Sequence, residues 1–275
     1  MTDAAANELG EFLRARRELV TPEQLGIPVV GVRRVPGLRR EEVAMLAGIS
    51  ADYYLRLEQG RDRNPSAQVL ESIARVLRLD ADTAAYLLEL GASRPRRTPR
   101  RRRVETVPAH TMRLVEQLPF PAFVEGRNLD VLAANRQATA LSPRLAVGGN
   151  RLRDFFLDPA ERELFEPHWE DAAAGLVAGF RQSVGTDTDD PQFIELVGEL
   201  SLASPLFRRL WARHEIRVRQ GATMQFAHPS LGTLQVDREK LAVTGSDGMM
   251  LVIYHAQPGT PDADKLALLT STTAR

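Results

Sequence analysis

Residues 39–60, RREEVAMLAGISADYYLRLEQG, constrain the fold more than any other stretch, because they read as two helices joined by a four-residue corner. Ala44 stands where two helices must cross closely, which demands a small side chain. Gly48 falls four residues on, at a turn where glycine alone takes a left-handed backbone without strain. Ile49, Tyr54 and Leu57 then recur at spacings that place them under the second helix, toward a shared core. Ser50 is positioned as an N-cap and Gly60 as a terminator. A small residue, a turn glycine and three apolar anchors in this order predict a DNA-binding helix-turn-helix rather than an ordinary helical hairpin.

The rest of the N-terminal region is helical by the same reasoning. A first helix is predicted over about Ala5–Glu18, with Leu9, Phe12 and Leu13 inward. Ser66 caps a fourth helix through Leu77, and Asp82–Leu90 forms a fifth, ended by Gly91. The segment Val20–Leu38 between helices 1 and 2 is long for a helical domain. It contains TPEQLGIPVVGVRRVPG, with the pair Arg33–Arg34, and reads equally as a DNA-reaching arm or as padding on helix 1.

The run VPGLRREEVAMLAGISADYYLRLEQGRDRNPS resembles the XRE (Cro-type) helix-turn-helix regulators, and the likeness extends from about Leu9 to Leu90. The resemblance implies a five-helix domain whose second motif helix enters the major groove of double-stranded DNA. It places the base-facing positions at Ala51, Asp52, Tyr53 and Arg56. Arg56 suits bidentate contact with guanine, and Asp52 suits either a cytosine amino group or the fixing of Arg56. Arg40, opening helix 2, fits a phosphate or an outer base. Arg39, Arg61, Arg63, Asn64 and Ser66 hold loop and helix-start positions that clamp the backbone.

Charge divides the chain. Residues 1–103 hold 19 arginines against 14 acids, whereas 104–275 hold 17 basic against 22 acidic residues. A basic front and an acidic back suit a nucleic-acid module joined to a module of another kind. The stretch SRPRRTPRRRRVETVP (93–108), with seven arginines and three prolines, reads as a basic linker adding salt-sensitive attraction to DNA. The expected organisation is therefore 1–92, a linker at 93–108, and a second domain over 109–275. Cysteine is absent, which excludes disulfides and thiolate metal sites. The opening MTDAAANELGEFLRARR lacks an apolar core of signal-peptide length, and no apolar run approaches a membrane span, so a cytoplasmic location is expected.

From Thr111 the periodicity changes. A short helix at Met112–Gln117 leads into PFPAFVEGRNLDVLAAN, two strand-like runs about a Gly-Arg-Asn turn, then a helix through Leu141. Helices follow at Pro159–Val184, Pro191–Leu200 and Pro205–His214, then strands near 216–220, 222–228, 232–236, 241–244 and 249–256. This order describes an α+β domain, an antiparallel sheet with helices packed on one face. The segments SPLFRRLWARHEIRV, FAHPSLGTLQVDREKLAV and LVIYHAQPGTP resemble the MmyB-like ligand-binding domain over most of 109–270. The resemblance implies a PAS-like sensor of a small apolar ligand, with fatty acids a candidate class.

Phe207, Leu210, Trp211 and His214 share one helical stripe that serves either as core or as a ligand wall. Phe226, His228 and Tyr254 are further candidates on the strands, and Asn135 reads as a helix cap. Catalysis finds no support: there is no HExxH, no Walker or GxGxxG loop, and no GxSxG elbow. No metal site and no cofactor are expected. The reading is a one-component, homodimeric transcription regulator. The alternatives are an antitoxin-like or scaffold protein whose second half binds another protein, and an enzyme tethered to DNA.

Overall fold

The structure is a computed structural model and describes residues 7–27, 33, 35–62, 64–92, 105–185, 188, 190–215, 221–246 and 248–272. The chain divides into two compact units. One comprises residues 1–100 with 185–190 and 209–217, and the other comprises 101–184, 191–208 and 218–275.

In the N-terminal unit, α1 (Glu8–Leu19), α2 (Arg40–Ala47), α3 (Ala51–Glu58), α4 (Ala67–Val76) and α5 (Ala81–Gly91) surround one core. Gly48 takes φ +71°, and the Ile49 amide donates to the Ala44 carbonyl at 3.0 Å, so the α2–α3 corner is closed by its own backbone. Ser50 accepts from the Tyr53 amide at 3.1 Å and starts α3. Ala44, Tyr54 and Leu57 are buried with Phe12, Leu13, Leu38, Ile73 and Leu87. Each large apolar side chain in that set contributes about 1.5–3 kcal/mol by leaving water. Asp80 caps α5, its carboxylate accepting from the Thr83 amide at 2.8 Å, so the helix begins one residue ahead of the expected Asp82. Gly91 lies in the last turn of α5, where a Cβ would meet the Leu70 side chain at 2.3 Å. Close packing therefore selects that glycine, not helix termination.

One carboxylate ties three of these helices together. Glu58, at the end of α3 and 0% exposed, receives Arg17 Nε of α1 and Arg40 Nε of α2, both at 2.6 Å. Arg17 also donates to the Leu38 carbonyl at 2.8 Å, which fixes the chain entering α2. Between α1 and α2, a 3-10 turn at Pro22–Leu25 and the buried Val20 and Pro22 pack on the core. Arg33 is held by Glu42 at 2.8 Å and by the Gly37 carbonyl at 3.0 Å. In its described part the segment thus packs against the domain, as the padding alternative expects. Arg34 lies outside the described residues, as does most of the basic linker, 93–104.

The second unit is built on one antiparallel sheet in the order β2-β1-β5-β4-β3. Its strands are β1 (Ala122–Glu125), β2 (Val131–Ala134), β3 (Ala222–His228), β4 (Gly232–Ala242) and β5 (Met250–His255). Its helices are α6 (Ala109–Gln117), α7 (Arg136–Leu141), α8 (Arg151–Leu157), α9 (Pro159–Leu164), α10 (Trp169–Val184), α11 (Pro191–Ala203) and α13 (Pro261–Thr272). A further helix, α12 (Pro205–Ala212), bridges the residue ranges of the two units. The α+β class holds, with corrections of detail.

The single helix expected over Pro159–Val184 is two, α9 and α10, separated by a turn that contains the cis Glu166–Pro167 bond. The strands expected at 232–236 and 241–244 are one long β4, because Asp237–Lys240 stay paired in register with Val252–His255 of β5. The segment 216–220 lies outside the described residues. Helices cover both faces of the sheet, not one. Ala122, Val124 and Leu251 pack on Val115 of α6, while Phe123, Glu125 and Tyr254 point the other way. Val107 belongs to the α6-side core, so the ordered domain begins ahead of 109.

Asn135 caps α7 by accepting from the Ala138 amide at 2.9 Å, and its amide nitrogen donates to the carbonyls of Val115, Leu118 and Phe120. No helix among the described residues is long and apolar enough to cross a membrane.

Glu58→Ala leaves Arg17 without its buried counter-charge, so it should destabilise the N-terminal unit by about 3–5 kcal/mol. Urea unfolding followed by circular dichroism measures this, and a loss below about 1 kcal/mol, the level of a surface pair, would contradict the role.

Candidate functional site

Two sites are built from these elements, one in each unit. The first is the outer face of α3. Ala51, Asp52 and Arg56 are exposed and Tyr53 is half-buried, while Tyr54 and Leu57 one step round the helix hold it to the core. Arg56 and Asp52, one turn apart, form an ion pair through Arg56 Nη1, and the Arg56 guanidinium lies 5.7 Å from the centre of the Tyr53 ring. This ion pair is the contact that Asp52 makes in the structure. This limits the rotamers of a long side chain before any partner arrives.

Arg40 differs from expectation in part. Its Nε is engaged by Glu58, yet its side chain remains 40% exposed. Arg39 is exposed at the α2 N-cap. Both arginines line a hollow of about 420 Å³ with Arg14, Arg17, Glu18, Val35 and Glu41. Arg14, on α1, was not distinguished in the sequence, because an isolated arginine on an amphipathic helix carries no local signal. Arg61 and Asn64 are exposed, Ser66 accepts from the Val69 amide at 3.4 Å as the α4 cap, and Arg63 lies outside the described residues.

The second site lies against the α8 and α9 side of the sheet. A cavity of about 20 Å³ is lined by Leu141, Leu145, Phe155, Leu164, Phe165, Phe226 and Tyr254, with Ser142, Arg144, Arg151, Asp154 and Glu161 as polar groups. That is room for about one water molecule. The surrounding space is filled by aromatic rings: Phe226 meets Phe165 at 5.1 Å and Tyr254 at 5.4 Å, and Phe155 stacks on Trp169 at 6.0 Å.

Arg151 is the buried polar anchor of this wall. It donates to Glu125 at 2.6 Å and to the Tyr254 hydroxyl at 3.4 Å, and lies 5.0 Å from the Phe123 ring centre. Lys240 also pairs with Glu125. Burial alone would raise the Glu125 carboxyl, but Lys240 and Arg151 hold it down to about 2. Burial pushes the Glu161 carboxyl up, against the lowering effects of the Ser142 hydroxyl bonded to it and of Arg151. Burial likewise raises Asp154, against Arg144 and Arg153.

Phe226 and Tyr254 line this cavity, but the helical stripe does not. Phe207 is fully buried and meets Phe156 edge-on at 5.2 Å, filling the aromatic core. Leu210, Trp211 and His214 fall in the part of the chain that groups with the N-terminal unit. None of these four side chains is among those lining the cavity.

His228 is committed elsewhere. Its Nδ1 accepts from the Ser230 and Leu231 amides at 3.2 Å, and its Nε2 donates to the Ala140 carbonyl at 3.1 Å, so it shapes the β3–β4 turn. Arg151, Ser142 and Glu161 were missed because they lie on separate elements that only the fold brings together. No cluster able to hold a metal ion occurs among the described residues.

Comparison with known families finds two matches. Residues 8–87 match a helix-turn-helix domain, and residues 107–269 match the MmyB-like transcription regulator ligand binding domain. No curated protein matches the chain.

A carboxyl held up by the fold binds its proton more tightly there than in the unfolded chain. Glu161 thus withdraws stability as pH rises from the ordinary carboxylate value through the raised one. Glu161→Gln should gain stability over wild type between about pH 4 and pH 7. Urea unfolding across that range measures it, and a difference that stays flat with pH would contradict the raised carboxyl.

Proposed function

Because the chain belongs to the family of the MmyB-like transcription regulator ligand binding domain and carries a helix-turn-helix, we propose that it is a one-component regulator. In this reading the helix-turn-helix binds DNA, and ligand held beside Arg151 shifts the affinity of α3 for its operator.

The observation that carries the DNA half is Arg56, exposed on α3 and pre-oriented by Asp52 and Tyr53. Arg56 reads a guanine through its O6 and N7, with Ala51, Asp52 and Tyr53 against neighbouring bases. Arg14, Arg39 and Arg40 around the hollow, together with Arg61, Asn64 and Ser66, hold phosphates, which position the helix without reading sequence. In vitro selection from random duplexes by the full chain supplies the operator. Arg56→Ala should then lose about 1–3 kcal/mol on the selected duplex and little on a scrambled one. Equal losses on both would remove Arg56 from base reading.

The ligand is a small amphiphile of fatty-acid type. Supporting this are the apolar lining residues Leu141, Leu145, Phe155, Leu164 and Phe165, with Ser142, Arg151 and Glu161 gathered where a polar head group would sit. The closed cavity is too small for an acyl chain, so binding selects a form in which side chains have swung aside. Leu164 and Phe165 are the side chains that move, because they end a six-residue helix just before a turn. The apparent affinity is lowered by the fraction of time the pocket is closed.

Trp169, stacked on Phe155 of the lining, reports the event. In Trp211→Phe protein, decanoate or palmitate should change Trp169 fluorescence saturably, and Leu145→Trp, judged at the same site by isothermal titration, should abolish binding. Undiminished binding by Leu145→Trp would place the ligand elsewhere. The absence of saturation with either acid would remove the fatty-acid class.

A further inference from the structure

The β1–β2 turn, Gly126–Leu129, is held from two sides. On one side it meets the wall of the cavity. The Arg151 amide donates to the Leu129 carbonyl at 2.9 Å, and the Asn150 side-chain amide donates to the Asn128 carbonyl at 2.7 Å. Glu125, the residue just before the turn, accepts from the Arg151 guanidinium at 2.6 Å. On the other side the turn meets Glu105, whose carboxylate accepts from the Arg127 amide at 3.3 Å. That carboxylate lies against Gly126, where a Cβ would collide with Glu105 Oε2. The Arg127 guanidinium donates to the Val184 carbonyl at 3.0 Å, and the Ser183 hydroxyl donates to the Arg127 carbonyl at 2.9 Å.

The residues on this second side stand near two of the places where the chain leaves the domain. Glu105 follows the basic stretch 93–104, which leads in sequence to the helix-turn-helix. Val184 precedes 185–190, which group with the N-terminal unit. The turn itself is strained. Leu129 takes φ +62° although buried, a conformation that a residue with a Cβ keeps only where its surroundings impose it. The β1–β2 register also shifts between Val124 and Glu125, at the entrance to the turn. Strain of this kind is relieved when one of its holds is released.

We propose that this turn is the relay through which ligand reaches the DNA-binding half, with Glu105 as its latch; the inference rests on the regulator reading above. An anionic head group in the cavity offers Arg151 a partner that competes with Glu125. Drawing Arg151 toward it pulls on the Glu125 carboxylate and the Leu129 carbonyl together. The turn shifts, Gly126 and Arg127 withdraw from the Glu105 carboxylate, and the start of the domain is released toward the linker. Glu105 does not line the cavity, so it acts as a positioning residue. Coupling between sites is reciprocal, so whatever breaks the latch also eases ligand binding.

Gly126→Ala tests this directly, since the added methyl evicts the Glu105 carboxylate, which is the free end of a flexible side chain. Glu105→Ala breaks the same contact from the other partner, and circular dichroism checks that both full-length variants fold. Amide hydrogen exchange, without ligand or DNA, should show the loss crossing the turn: the Arg151 amide should exchange at least about threefold faster in both variants. Both variants should bind decanoate about threefold to tenfold more tightly than wild type does. Their ligand-free affinity for the selected duplex should lie within about twofold of that of decanoate-bound wild type. An Arg151 amide unchanged in the folded variants would overturn the relay, as would decanoate binding that wild type shows and neither variant strengthens. Faster exchange at Arg151, in a protein whose wild type ignores decanoate, would leave the relay standing and remove the fatty-acid regulator reading alone.

Discussion

The N-terminal unit depends on one carboxylate. Glu58 ends α3, is out of contact with water, and is gripped by Arg17 from α1 and Arg40 from α2. Apolar packing of Tyr54 and Leu57 supplies most of the drive to dock α3, but apolar packing is tolerant of small rotations. The two charge-assisted bonds are not: both depend on where the end of α3 lies. Replacing such a cluster by well-packed hydrophobic residues can preserve stability in some proteins. In this one it would give up the geometric constraint that aims α3. Arg40 thus belongs to the scaffold through its Nε while remaining at the surface of the α1–α2 hollow.

A comparable arrangement lies behind the sheet of the second unit. Glu125 receives Arg151 and Lys240, and Arg151 continues to Tyr254 in the cavity wall. Two cations around one buried carboxylate leave the cavity facing a net positive group, next to a Glu161 carboxyl that burial pushes toward its neutral form. Such a wall favours an anionic or strongly accepting head group. The aromatic rings that close the cavity oppose entry of a chain, so occupancy and rearrangement are one event in the proposed mechanism.

How much of this was legible in the sequence follows from the range of the interactions. The corner at Gly48, the caps Ser50, Ser66 and Asn135, and the hairpin about Gly-Arg-Asn are local, and each occurs where its residues predict. The aligned pair Asp52–Arg56 is also local, one helical turn apart. Glu58 gave no sign of its role, because its partners are 41 and 18 residues away. The cavity failed to show for the same reason: Ser142, Arg151, Glu161, Phe226 and Tyr254 come from different elements. The stripe Phe207–Leu210–Trp211–His214 was visible as an amphipathic face, but periodicity does not say what that face meets. The broken helix at 165–168 and the two-sided covering of the sheet were hidden likewise, since both are decided by packing.

In the proposed mechanism, occupancy of the second unit's cavity changes DNA reading by the first. The direct measurement is the affinity of the full chain for its selected duplex, at fixed salt, with and without a small-molecule extract of cells that express it. Affinity should change by about 5–150-fold, the usual range of coupling between sites, and Leu145→Trp should be insensitive to the extract. Identical affinities for wild type in both conditions would contradict the claim.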